Sequence, residues 1–160
     1  MKRIGVTGHR VIPDELHAHV YAAVHAVFDA HRGGPLEALS GLAAGADTVF
    51  ADIALAEGAE LTAVVPSGDY EDDFTEPDSL ARYRALRDRA TREVRLPYAR
   101  ATPEAYHAAG VYIADNCDRL LAVWDGRPAR GLGGTGDIVR YARGLGRPVT
   151  VIWREGVRRP

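Results

Sequence analysis

Three glycine-rich segments hold most of the residues in this 160-residue chain that could do chemistry. The first is Thr7-Gly8-His9-Arg10. The second runs from Ser40 through Gly41 and Gly45 to Asp47. The third follows Trp124-Asp125-Gly126 and comprises Gly131, Gly133, Gly134, Thr135, Gly136 and Asp137. Each comes directly or shortly after an apolar run of strand character, and the second and third lead into helical patterns. Helix N-termini present unpaired N–H groups and a partial positive charge, which attract phosphate. Glycine lets the backbone approach a ligand and take positive φ. The hydroxyls of Ser40 and Thr135 add donors, and Arg10 can hold a phosphate through paired hydrogen bonds. The competing reading is that the glycines only make tight turns, and that Asp47 and Asp137 only complement helix dipoles. Three such segments on one sheet edge favour an anion-binding edge. A Walker loop is absent, since no Gly-Lys-Ser or Gly-Lys-Thr occurs. The dinucleotide fingerprint G-x-G-x-x-G is also missing after the first strand, which disfavours an ordinary NAD dehydrogenase.

The elements that must position these segments alternate between strand and helix. Strands are expected at 3–7, 36–41, 61–65, 94–97, 119–124 and 148–153. Helices are expected at 13–31, 46–57, 79–92, 102–116 and 138–143. In the first helix Leu16, Val20, Val24, Val27 and Phe28 recur at helical spacing and form one apolar face. Thr102 and Pro103 sit where a cap and first turn want them. Short apolar strands alternating with helices imply an α/β domain with a mainly parallel sheet covered on both faces, a Rossmann-like three-layer αβα arrangement. In such sheets ligands bind beyond the carboxyl ends of the strands, where all three segments fall.

Composition narrows the function. The apolar fraction of 46% and charged fraction of 26% are those of one ordinary globular domain, 1–160. Net charge is −2, without the basic excess of a duplex-DNA binder. Cys117 is the only cysteine, which excludes an internal disulfide and suits a reducing compartment. With no signal-peptide core and no apolar run of membrane-spanning length, the expected location is cytoplasmic, with no membrane partner. His17, His19, His25 and His31 scatter around one helix without the i, i+4 pairing of zinc helices, so no metal is expected. The acidic loop 69–74 follows the third strand and could act as a lid, with Tyr70 stacking on a base; the plainer alternative is a solvated surface loop.

The segment SGLAAGAD, from Ser40 to Asp47, resembles the motif of the DNA-processing A (Smf) proteins. GLGGTGDIV, from Gly131 to Val139, resembles a variant of the Lonely Guy phosphate loop, and VTGHR, from Val6 to Arg10, resembles the first loop of the SLOG superfamily that unites these proteins. The resemblance spans nearly the whole chain. It implies a nucleotide-binding protein whose ligand is a nucleoside monophosphate or a related phosphorylated nucleotide, with no separate cofactor. By similarity Gly133, Gly134, Thr135 and Gly136 would cradle the phosphate, and Ser40, Gly41 and Gly45 would approach from the neighbouring strand. Gly8, His9, Arg10 and Asp47 complete the expected binding set.

Lonely Guy members are phosphoribohydrolases that release a free base, which makes that activity the alternative function. Their catalytic glutamate falls three residues after the loop threonine, where this chain has Ile138. Their arginine also has no match among Tyr106, Ala109 and Tyr112. An oxocarbenium-like transition state would then need Asp137 or Asp125 as the catalytic carboxylate, with Asp47 orienting the sugar hydroxyls. A single-stranded nucleic-acid binder is the third reading, disfavoured by the charge. SLOG proteins are commonly homo-oligomers, which implies a homodimer or a higher homo-oligomer.

Overall fold

The computed structural model describes residues 1–128, 132 and 134–160. Six strands form one parallel sheet: β1 (Lys2–Gly8), β2 (Leu36–Ser40), β3 (Glu60–Val65), β4 (Arg92–Arg95), β5 (Arg119–Val123) and β6 (Val149–Ile152). Their spatial order is β4-β3-β2-β1-β5-β6. The chain steps outward from β1 to β4, then crosses to β5 on the other side of β1. That reversal is the topological switch point, and it opens a crevice beyond the carboxyl ends of β1 and β5.

Among the described residues five α-helices cover the two faces: α1 (His17–Ala30), α2 (Ala46–Ala56), α3 (Pro77–Arg89), α4 (Pro103–Asn116) and α5 (Thr135–Gly144). On one face α2 packs against β1, β2 and β3 and touches α1 and α3; on the other α4 and α5 pack against each other and the sheet. Burial follows the sequence pattern. The α1 stripe Val20, Val24 and Phe28 is fully inside, and Phe28 meets Phe50 of α2 at 5.5 Å between ring centroids. The small residues of α2, Ala46, Ala51 and Ala54, let that helix lie flat on the sheet. Leu39 and Val64 point to the other face, into a cluster with Ile113, Leu120 and Ile138.

The α/β, Rossmann-like three-layer expectation therefore matches the observed architecture, while several boundaries move. The helix expected from 13 begins at His17, after a 3-10 turn over Asp14–Leu16. The helix expected at 79–92 starts two residues earlier on Pro77 and ends at Arg89. Arg92 instead joins the sheet, as β4 pairs with β3 from Thr62↔Arg92 onward. The strand expected at 94–97 becomes Arg92–Arg95 for the same reason. Finally α5 begins at Thr135 rather than 138, so Thr135 and Gly136 form its first turn. Among the described residues no helix is long and apolar enough to cross a membrane, and no cluster of three or more metal-ligating side chains is present.

Candidate functional site

The switch-point crevice is a cavity of about 390 Å³. One wall is the end of β1 and its loop, Val6 to Arg10. Gly41, Ala43 and Asp47 come from the β2–α2 turn, Val64 and Pro66 from β3, and Tyr106, Gly110 and Ile113 from α4. The far end is Gly134, Thr135 and Ile138 of α5 together with Arg159. Gly134 stands at the N-cap with φ −70° and ψ 166° and brings no side chain to cap the helix. The Asp137 N–H bonds the Gly134 carbonyl at 3.1 Å, which leaves the N–H groups of Thr135 and Gly136 with no intrahelical acceptor and no side-chain cap among the described residues. Gly133 lies outside the described residues.

The opposite end is cationic and aromatic. The Arg10 guanidinium stands 4.8 Å above the centre of the Tyr106 ring and 3.4 Å from Asp73 Oδ2. Tyr106 donates its hydroxyl to the same carboxylate. Burial works against the Arg10 cation, but Tyr106, Tyr70 and Asp73 outweigh it and raise its pKa further. Burial and the Asp73 acceptor push Tyr106 up to about 12, against the pull of Arg10. This end thus keeps a permanent positive charge and a neutral phenol.

Asp47 sits in the first turn of α2 and is partly buried at the cavity wall. Desolvation pushes its carboxyl up to about 7, although the Ala43 N–H and the Arg10 charge both pull it down. A carboxyl poised near neutrality can accept or donate a proton at the cavity surface.

Several expected ligand contacts are instead internal. Ser40 is fully buried; its hydroxyl donates to the Asp47 carbonyl at 3.0 Å and accepts the Leu42 N–H at 3.1 Å. Gly45 has φ +85°, and a Cβ there would fall 2.3 Å from the Arg10 carbonyl oxygen, so its small size serves the packing of this turn against the β1 loop. Neither residue lines the cavity. Gly8 and Gly41 do line it. Gly8 is also packed: a Cβ would come within 2.5 Å of Ala46 Cβ.

Tyr70 is not a free lid side chain. It is 3% exposed, its ring meets Phe74, Tyr83 and Tyr106 edge-on, and its hydroxyl donates to the Gly41 carbonyl at 2.8 Å. Burial raises its pKa, and the nearby Asp47 adds to the effect. The aromatic cluster makes Tyr70 the anchor of the acidic loop, with one edge on the cavity.

The two carboxylates expected to be catalytic stand away from the cavity surface. Asp137 is in the first turn of α5 and reaches Arg140, 3.7 Å away. Asp125 is 3% exposed in its side chain, accepts the Arg127 N–H at 3.0 Å and lies 3.3 Å from the Arg159 guanidinium. Burial opposes its ionisation, but that N–H, Arg159 and His9 together hold its pKa below the usual range. His9 Nε2 accepts the Asp125 N–H at 3.3 Å, and its ring stands edge-on to Trp153. Asp125 is thus a fixed anion behind the wall. At the place of the resembled glutamate, Ile138 presents an apolar surface, packed so closely on Gly110 that a Cβ there would meet it at 2.4 Å.

Sequence reasoning missed Tyr106, Asp73 and Arg159. Tyr106 stood in the sequence as a position without the resembled arginine, and Asp73 as one of several loop acids. Arg159 lies beyond the last strand, where no periodic pattern signals a contact.

The fold is shared with solved structures. DNA processing protein A from Streptococcus pneumoniae matches with a TM-score of 0.70 at 20% identity, over 98% of this chain and 52% of that one. DNA processing protein A from Helicobacter pylori, described for its single-stranded DNA binding mode, gives 0.67 at 13% identity, over 97% of this chain and 67% of that one. The molybdenum cofactor binding protein from Rippkaea orientalis gives 0.55 at 16% identity, over 94% and 75%. This chain spans about half the length of the pneumococcal protein. No protein-family model matches it, and no curated protein matches it. The likeness is one of fold alone, the Rossmann-like α/β fold expected from the sequence.

Proposed function

We propose that the switch-point cavity binds a phosphorylated nucleotide of about the size of a nucleoside monophosphate. The observation that carries this reading is the uncapped N-terminus of α5 beside a cavity that also holds Arg10 and Asp47. The helix terminus supplies N–H donors and positive potential for a phosphate. Val6, Val64, Ile113 and Ile138 offer apolar surface for a base, and Asp47 a hydrogen-bond partner for sugar hydroxyls. The cavity falls within the roughly 300–1,000 Å³ of small-molecule sites. A fold neighbour described as a molybdenum cofactor binding protein supports a small-molecule ligand on this scaffold. The net charge of −2 weighs against a nucleic-acid strand.

Calorimetric titration with a panel of nucleoside 5′-monophosphates and their parent nucleosides tests the reading. At least one monophosphate should bind, and its nucleoside should bind about tenfold or more weakly, the loss of charge-assisted hydrogen bonds worth roughly 1.5–3 kcal/mol. A folded protein that binds no monophosphate overturns it.

One observation favours a second reading, base release. Asp47 lines the cavity with a carboxyl near pKa 7, a value suited to proton transfer at neutral pH. In that reading Asp47, rather than Asp125 or Asp137, protonates or activates a group at the glycosidic bond. Chromatographic detection of free base, lost in Asp47→Asn, would establish it; bound monophosphate recovered intact would leave binding alone.

A further inference from the structure

We infer that Arg159, on the segment that follows β6, is a ligand-binding residue of this cavity and supplies the side-chain cation for its phosphate end. The inference rests on the phosphate reading of the α5 terminus and names the partner that the terminus lacks.

The segment after β6 turns back toward the sheet. The Trp153 indole donates to the Val157 carbonyl at 2.7 Å, and Val157 packs on the main core. This places Arg159 over the loop that follows β5, where its Nη2 donates to the Pro128 carbonyl at 3.3 Å. The side chain is only 15% exposed, and it lines the cavity that Gly134 and Thr135 also line. A guanidinium is withdrawn from water only where partners compensate.

The compensation here is incomplete. Asp125 Oδ2 lies 3.3 Å from Arg159 Nε, yet neither atom makes a hydrogen bond of good geometry among the described residues, and both are buried. Asp125 neutralises the cation and fixes its position without saturating its donors. A guanidinium offers five N–H donors in a planar fork suited to phosphate oxygens. Arg159 therefore combines a held position, a desolvated charge and a place on the cavity wall. Arg10 differs: it is half exposed and engaged by Asp73 and Tyr106 at the other end. The arrangement makes Asp125 a positioning residue that acts through Arg159.

The test compares wild type, Arg159→Gln and Arg159→Lys for binding of the best nucleoside monophosphate, its nucleoside and inorganic phosphate. Tryptophan fluorescence gives a second readout, since Trp153 lies on the same segment. Arg159→Gln should lower monophosphate affinity about 10–100-fold, as expected for a lost charge-assisted contact, and leave the nucleoside affinity unchanged. Arg159→Lys keeps the charge beside Asp125 but loses the fork, and should lose about 3–10-fold. If the Gln variant does not fold, the Lys variant carries the test. Equal monophosphate affinity in wild type and the folded variants overturns the role of Arg159 alone. A parallel loss for the nucleoside overturns it in favour of a purely structural role. A wild type that binds neither monophosphate nor phosphate overturns the phosphate reading, and this inference with it.

Discussion

The β2–α2 turn and the β5–α5 turn look alike as sequence, and the fold uses them in opposite ways. Both leave a buried strand through glycines and small polar residues and enter a helix. In the first, Ser40 closes on the turn itself, Gly45 admits the β1 loop, and Ala46 donates its N–H to the His9 carbonyl at 3.2 Å. The start of α2 is consequently sealed against protein, and only Gly41, Ala43 and Asp47 remain at the cavity. In the second, Gly134 has ordinary backbone angles and no capping side chain, and the start of α5 lines the cavity. A glycine-rich turn becomes a ligand loop only where its backbone donors lack a protein acceptor. The space that glycine leaves can be filled by a neighbouring main chain as readily as by a phosphate.

Four substitutions separate the two turns experimentally. The largest effect is expected from Gly45→Ala, which puts a Cβ at positive φ and 2.3 Å from a backbone oxygen. It should destabilise by about 3 kcal/mol or more, a fall in Tm of roughly 6–12 °C for a domain of this size. A fully stable Gly45→Ala protein would show that this turn is as open as the other.

Next comes Asp47→Asn, followed as unfolding free energy against pH. The folded carboxyl titrates near 7 and the unfolded one near 3.8. The folded state therefore binds the extra proton in that window, and wild type loses stability as pH rises from about 4 through 7. The Asn variant lacks this term, so it should gain on wild type across the window and hold its gain above it. Parallel curves would mean that Asp47 is solvated.

Ser40→Ala should follow. It leaves the buried Leu42 N–H and Asp47 carbonyl without their partner and should cost about 1–3 kcal/mol by denaturant unfolding. Nucleotide affinity should change little, because the hydroxyl does not reach the cavity. Gly134→Ala should be mildest in stability, about 0.5–1 kcal/mol from a poorer N-cap. Its signature is a fall in monophosphate affinity measured beside an unchanged fold. If Ser40→Ala weakens the ligand and Gly134→Ala does not, the roles of the two turns are reversed.

The layered architecture was legible in the residue pattern alone. Apolar strand runs, the α1 stripe and the Thr102–Pro103 start of α4 are local patterns, and local physics enforces them. The edge on which the glycines gather followed from the rules of parallel sheets, whereas the crossing from β4 to β5 emerges only from the strand order of the folded sheet. The nucleation of α5 at Thr135 was missed, because two glycines at its start read as turn until packing holds them in a helix. Which donors stay unpaired depends on packing between distant segments. Ser40 and Gly45 are consumed by neighbours distant in sequence, Asp125 is drawn behind the wall by His9 and Arg159, and Tyr70 is pulled into an aromatic cluster. Conversely Tyr106 and Arg159 meet the cavity, and Asp73 braces Arg10 and Tyr106 beside it, through contacts with residues about 30 to 100 positions away, as in the Arg10–Tyr106 and Arg159–Asp125 pairs. A residue's type fixes what it can donate or accept; whether that capacity is open to a ligand depends on every surface packed against it.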